Sequence, residues 1–389
     1  MKRNPGLKKI NCLYIHIPFC VRKCIYCDFF SVTYDELSAS SYVDALCREL
    51  CSKKAYSDVL KTIYIGGGTP SLLPSGSFQK LIACIKDNFR LSPDVEISVE
   101  VNPGTIDEPK VDALLSLGIN RLSIGIQSFH DDELFTLGRI HTSGDSIKSL
   151  EILKKAGMEN FSIDLIYGIP GQTIESWKDS LSMALEFSPS HISAYELTPE
   201  KETPLYKAIE TDSIIMPDEE LILEMYNYAI DHLARHGYEH YEISNFALPG
   251  RRCMHNINYW ERGEYIGAGA GSHSFINNTR SMNIKDIGKY IEGAIPETES
   301  ARLTPEEAFK ELILLGLRKR EGINIGRKAP VSCTLMNEDR DLRTALTEAS
   351  EELIEKGLVE IDRDHLRLTR EGTVLSNAVI VRLFEKLGL

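Results

Sequence analysis

From residue 12 to about 245 the chain alternates short apolar runs with amphipathic segments, and that order leaves few folds open to it. Runs of four to six residues rich in Ile, Val, Leu, Phe or Tyr fall at 13–17, 62–65, 96–101, 121–126, 161–166 and 191–195. Between them, 40–52, 75–88, 107–117, 145–156 and 174–187 carry apolar residues at helical spacing. Asp107 is placed to cap the third of these, with Pro109 just inside, and Gly118 and Gly157 to stop the third and fourth. Strand–helix repetition gives parallel strands joined by right-handed crossovers. The expected fold class is α/β, a partial or complete (β/α) barrel with a doubly wound sheet as competitor. A long helix over 218–236 follows.

Residues 245–280 change character. The runs SNFALPGRRCMHNINYW and GEYIGAGAGSHSF are rich in Gly, Asn and aromatics and show little periodicity. A folded loop region is expected there, because Tyr and Trp want burial. From about 303 the pattern is helical again, first over 305–319. Leu342, Leu346, Ala349, Leu353 and Ile354 then line one helix face that Gly357 should end. LVEIDRDHLRLT reads as a hairpin turning at 362–364, and 374–384 as a closing helix. The expected domains are a barrel over 1–245, a connecting region over 246–300 and an α+β, winged-helix-like domain over 301–389.

Lys and Arg number 44 against 57 Asp and Glu, a net charge of −13. That balance argues against general affinity for nucleic acid or anionic lipid. No stretch of about 20 apolar residues is present to span a membrane, and the basic opening lacks a signal-length apolar run. Nine cysteines, an odd count, do not read as a disulfide framework. A cytoplasmic protein is expected.

Cys20, Cys24 and Cys27 form C-x3-C-x2-C directly after the first strand, in HIPFCVRKCIYCDFF. A 4Fe–4S cluster normally takes four thiolates. Three would leave one iron open to the amino and carboxylate groups of S-adenosylmethionine (SAM), whose reductive cleavage releases a 5′-deoxyadenosyl radical. Zinc is the alternative, although a structural site wants four ligands. Tyr26 fits an aromatic packed on adenine or plain core. Glu100, Gln127 and Asp164 fall at or near the ends of successive strands, the active-site face of such a barrel. Converging there, they suit a ribose and an amino acid moiety. Arg139 suits the SAM carboxylate.

These residues resemble the radical SAM superfamily. YIHIPFC, YCDF, IGGGTPSLL, EVNPGT, LSIGIQSF, LGRIH, DLIYGIPGQT, HNINYW and IGAGAGSHS resemble the branch that holds the oxygen-independent coproporphyrinogen III oxidases and the HemW haem chaperones. The resemblance implies a barrel of radical SAM type, SAM contacts from Gly67, Gly68 and Thr69, and a place near SAM for Tyr14, Thr198 and Gly271. It also allows a second SAM beside the first.

Oxidase and chaperone share a fold, so other features must separate them. The oxidase pattern carries a fourth cysteine two residues after the third, where this chain has Phe29. The oxidases have a longer segment ahead of the cluster, whereas 19 residues precede Cys20 here. HNINYW resembles the chaperone signature. His255 is then the candidate haem ligand, with Tyr259 and Trp260 as a flat wall and Cys253, His191, His240 and His273 as weaker candidates. A buried, satisfied histidine is the alternative. The expected function is a haem chaperone that holds a 4Fe–4S cluster and SAM and delivers haem, its cargo, to acceptors such as respiratory enzymes. The electron donor and the use of radical chemistry stay open. The alternatives are coproporphyrinogen III oxidation and radical chemistry on another substrate, such as a tRNA base.

Overall fold

The computed structural model describes residues 10–293, 297–326 and 341–389. Cys333 lies outside them. Six parallel strands, β1 (Ile10–Ile17), β2 (Ser57–Gly67), β3 (Arg90–Val101), β4 (Arg121–Gln127), β5 (Phe161–Tyr167) and β6 (His191–Glu196), contain the six expected runs. The helices between them are α1 (Glu36–Lys53), α2 (Ser75–Asn88), α3 (Glu108–Ser116), α4 (Asp131–Thr136), α5 (Ser143–Lys155) and α6 (Ile174–Glu186). Asp107 does cap α3, accepting from Lys110 N, with Pro109 in its first turn. Helix α1 begins four residues before the expected start at 40, because Asp35 caps it by accepting from Ser38 N.

The strands continue through α7 (Pro204–Glu210) and α8 (Glu219–Arg235) into β7 (Glu239–Glu242), β8 (Asn245–Ala247), α9 (Met254–Trp260) and β9 (Ile266–Ala268). The main sheet runs β9-β1-β2-β3-β4-β5-β6-β8-β7. Strand β9 is parallel to β1, whereas β8 is antiparallel to both β6 and β7. Its two edges do not pair, so the barrel is partial. The region 245–280 is therefore not loop alone. It supplies a strand to each side of the sheet and a helix between them. Elements of three to seven residues are too short to show a period in sequence.

Alternation along each strand explains the layers. Leu13, Ile15, Ile17, Ile63, Ile65, Val99, Leu122, Ile124, Ile163 and Leu165 point outward and are buried beneath the helices. The inward positions are polar in most strands: Tyr64 on β2, Glu100 on β3, Ser123 and Gln127 on β4, Asp164 on β5 and Ser193 on β6. A barrel of this type usually fills its interior with branched apolar side chains. Here the interior is a cavity.

A small antiparallel sheet of β10 (His273–Ile276), β11 (Thr279–Asn283) and β12 (Glu297–Arg302) follows, with α10 (Ile287–Ile291) between its last two strands. The C-terminal domain is α+β and winged-helix-like. It holds α11 (Pro305–Gly316), β13 (Ile323–Asn324), α12 (Leu342–Glu355), β14 (Val359–Asp362), β15 (His365–Leu368), α13 (Arg370–Val374) and α14 (Ser376–Leu387). Its own core includes Phe309, Ile313, Leu346, Leu353, Leu366 and Leu383. Gly357, at φ 69°, ends α12 as expected, and Leu358 N closes back on Leu353 O. Ile354 is a correction to the expected face: it is 37 % exposed, because one residue beyond Leu353 turns it about 100° around the helix.

Candidate functional site

The cysteine loop leaves the top of β1 and is pinned from both sides. Val32 N donates to Pro18 O, Tyr34 N to Cys20 O, Ile25 N to Leu137 O and Leu205 N to Ile25 O. Arg22 Nη2 reaches Gly138 O at 2.9 Å. Cys20, Cys24 and Cys27 are each half-buried. Thr69 Oγ1 donates to Cys20 Sγ at 3.8 Å, and Arg139 Nη1 to Cys24 Sγ at 3.6 Å. Burial pushes the Cys20 thiol up and the Cys27 thiol up to about 11. Without a metal these thiols stay protonated near neutral pH, and iron would displace the protons. Among the described residues no group of three His, Cys, Asp or Glu stands close enough to hold one metal ion.

Beneath the loop lies a cavity of about 540 Å³. It is lined by Cys20, Cys24, Tyr26 and Cys27 from the loop, by Gly67, Gly68 and Thr69 from the glycine turn, and by Glu100, Gln127, Arg139, Asp164 and Thr198. The glycine turn requires its glycines. Gly67 sits at φ 117°, and a Cβ there would stand 2.5 Å from the His16 ring. Glu100 braces the turn, its Oε2 accepting from Gly67 N and its Oε1 from the Tyr64 hydroxyl, both at 2.9 Å. Desolvation outweighs these two bonds and pushes the Glu100 carboxyl up to about 7. Burial likewise raises Asp164, although Ser123 Oγ donates to it at 2.8 Å and Ser162 Oγ at 3.0 Å.

Gln127 holds a left-handed φ of 70° where the β4–β5 register slips. The bulge re-aims the end of the strand. At Gly125 a Cβ would lie 2.8 Å from both Asn102 Oδ1 and Gln127 Nε2 and 3.5 Å from Arg139 Nη2, so only glycine leaves that cradle open. Arg139 Nη2 donates to Asn102 Oδ1 and to Gly125 O, each at 2.8 Å. Its buried Nε has no partner. A buried guanidinium without a carboxylate is costly. Three thiolates on a cluster, or the carboxylate of SAM, would supply the missing anion. The donor set and the cradle fit the cluster and SAM.

Three expected site residues stand apart from this cavity. Tyr14 donates to or accepts from His16 Nδ1 at 2.9 Å and stacks toward Tyr64. Gly271 holds φ 74°, and a Cβ there would stand 2.9 Å from the Phe30 ring. His255 is 1 % exposed. Its Nδ1 pairs with Thr62 Oγ1 at 2.8 Å, and its Nε2 with the Tyr259 hydroxyl at 2.9 Å. Burial lowers its pKa to about 3. Both ring nitrogens are hydrogen-bonded, the arrangement of a satisfied interior histidine, which is the alternative reading of this residue. Nor do Tyr259 and Trp260 make an open wall. Tyr259 packs edge-on against Tyr265, and the Arg318 guanidinium covers the Trp260 ring. Cys253 is buried with its thiol on Glu96, His191 has both nitrogens bonded to Ser162 and Tyr241, and His240 stacks on Phe246. His273 is exposed.

Asn102 was not anticipated, yet it ties Thr69 to Arg139, donating to Thr69 Oγ1 at 2.8 Å. Its signal was present: it stands two residues beyond Glu100, on the same strand face.

The sequence profile of the Radical SAM superfamily matches residues 14–184, and that of the HemN C-terminal domain matches 303–375. The chain is 36 % identical over 373 residues to a protein of Bacillus subtilis named Heme chaperone HemW, covering 94 % of this chain and 97 % of that one. A Lactococcus lactis protein of the same name is 36 % identical and matched over 98 % of each chain. The Escherichia coli protein of that name is 39 % identical over 67 % of this chain and 69 % of its own. Among solved structures, the Escherichia coli coproporphyrinogen III oxidase HemN, a radical SAM enzyme, superposes with a TM-score of 0.78 over 97 % of this chain and 90 % of its own. Their identity is 23 %, so that likeness is one of fold.

Proposed function

The chain belongs to the HemW family within the radical SAM superfamily, and from that premise we propose that it binds haem and hands it to acceptor proteins. Membership implies a 4Fe–4S cluster and SAM. Cys20, Cys24 and Cys27 would hold the cluster, and the glycine turn with Glu100, Gln127, Arg139 and Asp164 would hold SAM. Cluster and SAM together supply one-electron cleavage of a carbon–sulfur bond. The residues of the chain orient the cofactor, match its charge and keep water from it.

The observation that carries the chaperone reading is the match at 36 % identity over 94 % of the chain to a Heme chaperone HemW. Phe29 supports it from inside the site: it is 62 % exposed on the cluster loop, at the position where the oxidase pattern has a fourth cysteine. Haem-acceptor proteins, respiratory enzymes among them, are the proposed partners. No helix among the described residues is long and apolar enough to cross a membrane, and the proposed compartment is the cytoplasm.

The test is haem loading and transfer. The full chain with its cluster reconstituted should retain a Soret band through gel filtration and lose it to a haem-free acceptor. Failure to retain haem would overturn the proposal.

A further inference from the structure

Cys47 and Cys51 lie one turn apart on α1, and Cys84 lies on α2. Cys47 and Cys84 are half-buried and Cys51 is exposed. None of the three lines the cavity of the cluster site. The two helices pack side by side: Leu46 and Leu50 of α1 share a core with Leu81 and Ile85 of α2, and Lys80 pairs with Asp44 across the exposed side. Cys84 Sγ donates to Cys47 O at 3.6 Å. The two thiols also stand close enough to hydrogen-bond to each other. Asn88, one turn further along α2, donates from Nδ2 to Cys84 Sγ at 3.7 Å.

A disulfide needs β-carbons about 4 Å apart. Residues four apart on a helix hold theirs about 5–6 Å apart, so Cys51 is a poor partner for Cys47. Cys84 approaches from another helix and escapes that spacing. The pair is also unequal. Burial, with the Cys84 thiol beside it, pushes the Cys47 thiol up to about 12. The Asn88 amide is placed to stabilise a thiolate on Cys84. Cys84 is therefore the attacking sulfur, and Cys47 the one that resolves.

We propose that Cys47 and Cys84 are a redox-active dithiol, closed to a disulfide by exchange with a low-molecular-weight disulfide. The Cys84 thiolate attacks one sulfur of the incoming disulfide, whose S–S bond breaks and whose other half leaves as a thiol with the proton Cys84 gave up. Cys47 then attacks the Cys84 sulfur of the mixed disulfide, and the second thiol leaves with the Cys47 proton. The protein pair is oxidised by two electrons, and the small disulfide is reduced to two thiols. The bond staples the helix that follows the cluster loop to the helix that follows the glycine turn. It does not depend on haem carriage.

The test incubates the full, cluster-loaded chain anaerobically with oxidised glutathione, then alkylates and digests it for mass spectrometry. The wild type should yield a peptide joining Cys47 to Cys84. Its melting temperature should rise by several degrees and fall back with dithiothreitol. Cys47→Ser should trap glutathione on Cys84, whereas Cys84→Ser should leave Cys47 unmodified. Asn88→Ala should slow closure several-fold, and Cys51→Ser should close as the wild type does. Wild-type protein with Cys47 and Cys84 both alkylated after the oxidant would overturn the proposal, a result that needs no variant to fold. So would glutathione held on Cys51 alone.

Discussion

The cluster loop and helix α9 both read as ligand motifs in sequence, and the fold treats them in opposite ways. The loop's three thiols, and Arg139 beside them, face a cavity, and Arg139 keeps a buried N–H without a partner. On α9, His255 and Cys253 have the same coordinating chemistry, but each is already satisfied by Thr62, Tyr259 or Glu96. The difference teaches that residue type names a candidate ligand, whereas unspent hydrogen-bonding capacity facing a cavity makes it one.

The largest effect should come from the loop. Cys24→Ala, reconstituted with iron and sulfide, should lose the visible absorbance of the cluster while keeping its melting temperature. Unchanged cluster content would break the comparison at its first member. The next effect belongs to α9. His255→Ala strands the Thr62 and Tyr259 hydroxyls and opens a cavity, so it should cost about 2–4 kcal/mol in denaturant unfolding. Haem retention by the folded variant should be unchanged. Lost haem at undiminished stability would make His255 a ligand after all and close the gap between the two motifs.

A smaller effect is expected from Arg139→Lys, which keeps the charge and gives up the planar fork. SAM should bind roughly tenfold more weakly to the cluster-loaded variant, the cost of one charge-assisted hydrogen bond. Equilibrium dialysis measures it, and undiminished affinity would remove Arg139 from the site.

The smallest is a pH effect in the apo protein. The Glu100 carboxyl sits at about 7 in the fold against 4.5 as a free side chain. Between those values the folded state binds the extra proton, so stability falls as pH rises from 4.5 to 7. Full desolvation would make that loss roughly 3 kcal/mol, and water in the cavity reduces it. Glu100→Gln should flatten the decline, and an unchanged slope would show that the carboxyl is solvated.

Much of the barrel was legible because its outward strand faces are continuous apolar sets and its helices carry ordinary caps. The cluster loop was legible because C-x3-C-x2-C is local. What escaped was set by distance in the chain. Strand β9 joins the sheet through Leu13, Tyr14 and Ile15, some 250 residues away, and three residues leave no period to read. The fate of His255 was decided by Thr62, 193 residues upstream, a partner no local pattern names. Asn102 lay between: alternation with Glu100 marked its face, but only the folded lumen shows what it joins.

The central claim, that this lumen serves a haem chaperone and not an oxidase, meets its most direct test in one anaerobic measurement. The protein, loaded with cluster, SAM and a low-potential reductant, is given coproporphyrinogen III in one arm and haem in the other. The account predicts a stable Soret band with haem and no decarboxylated porphyrinogen. Sustained decarboxylation would contradict it.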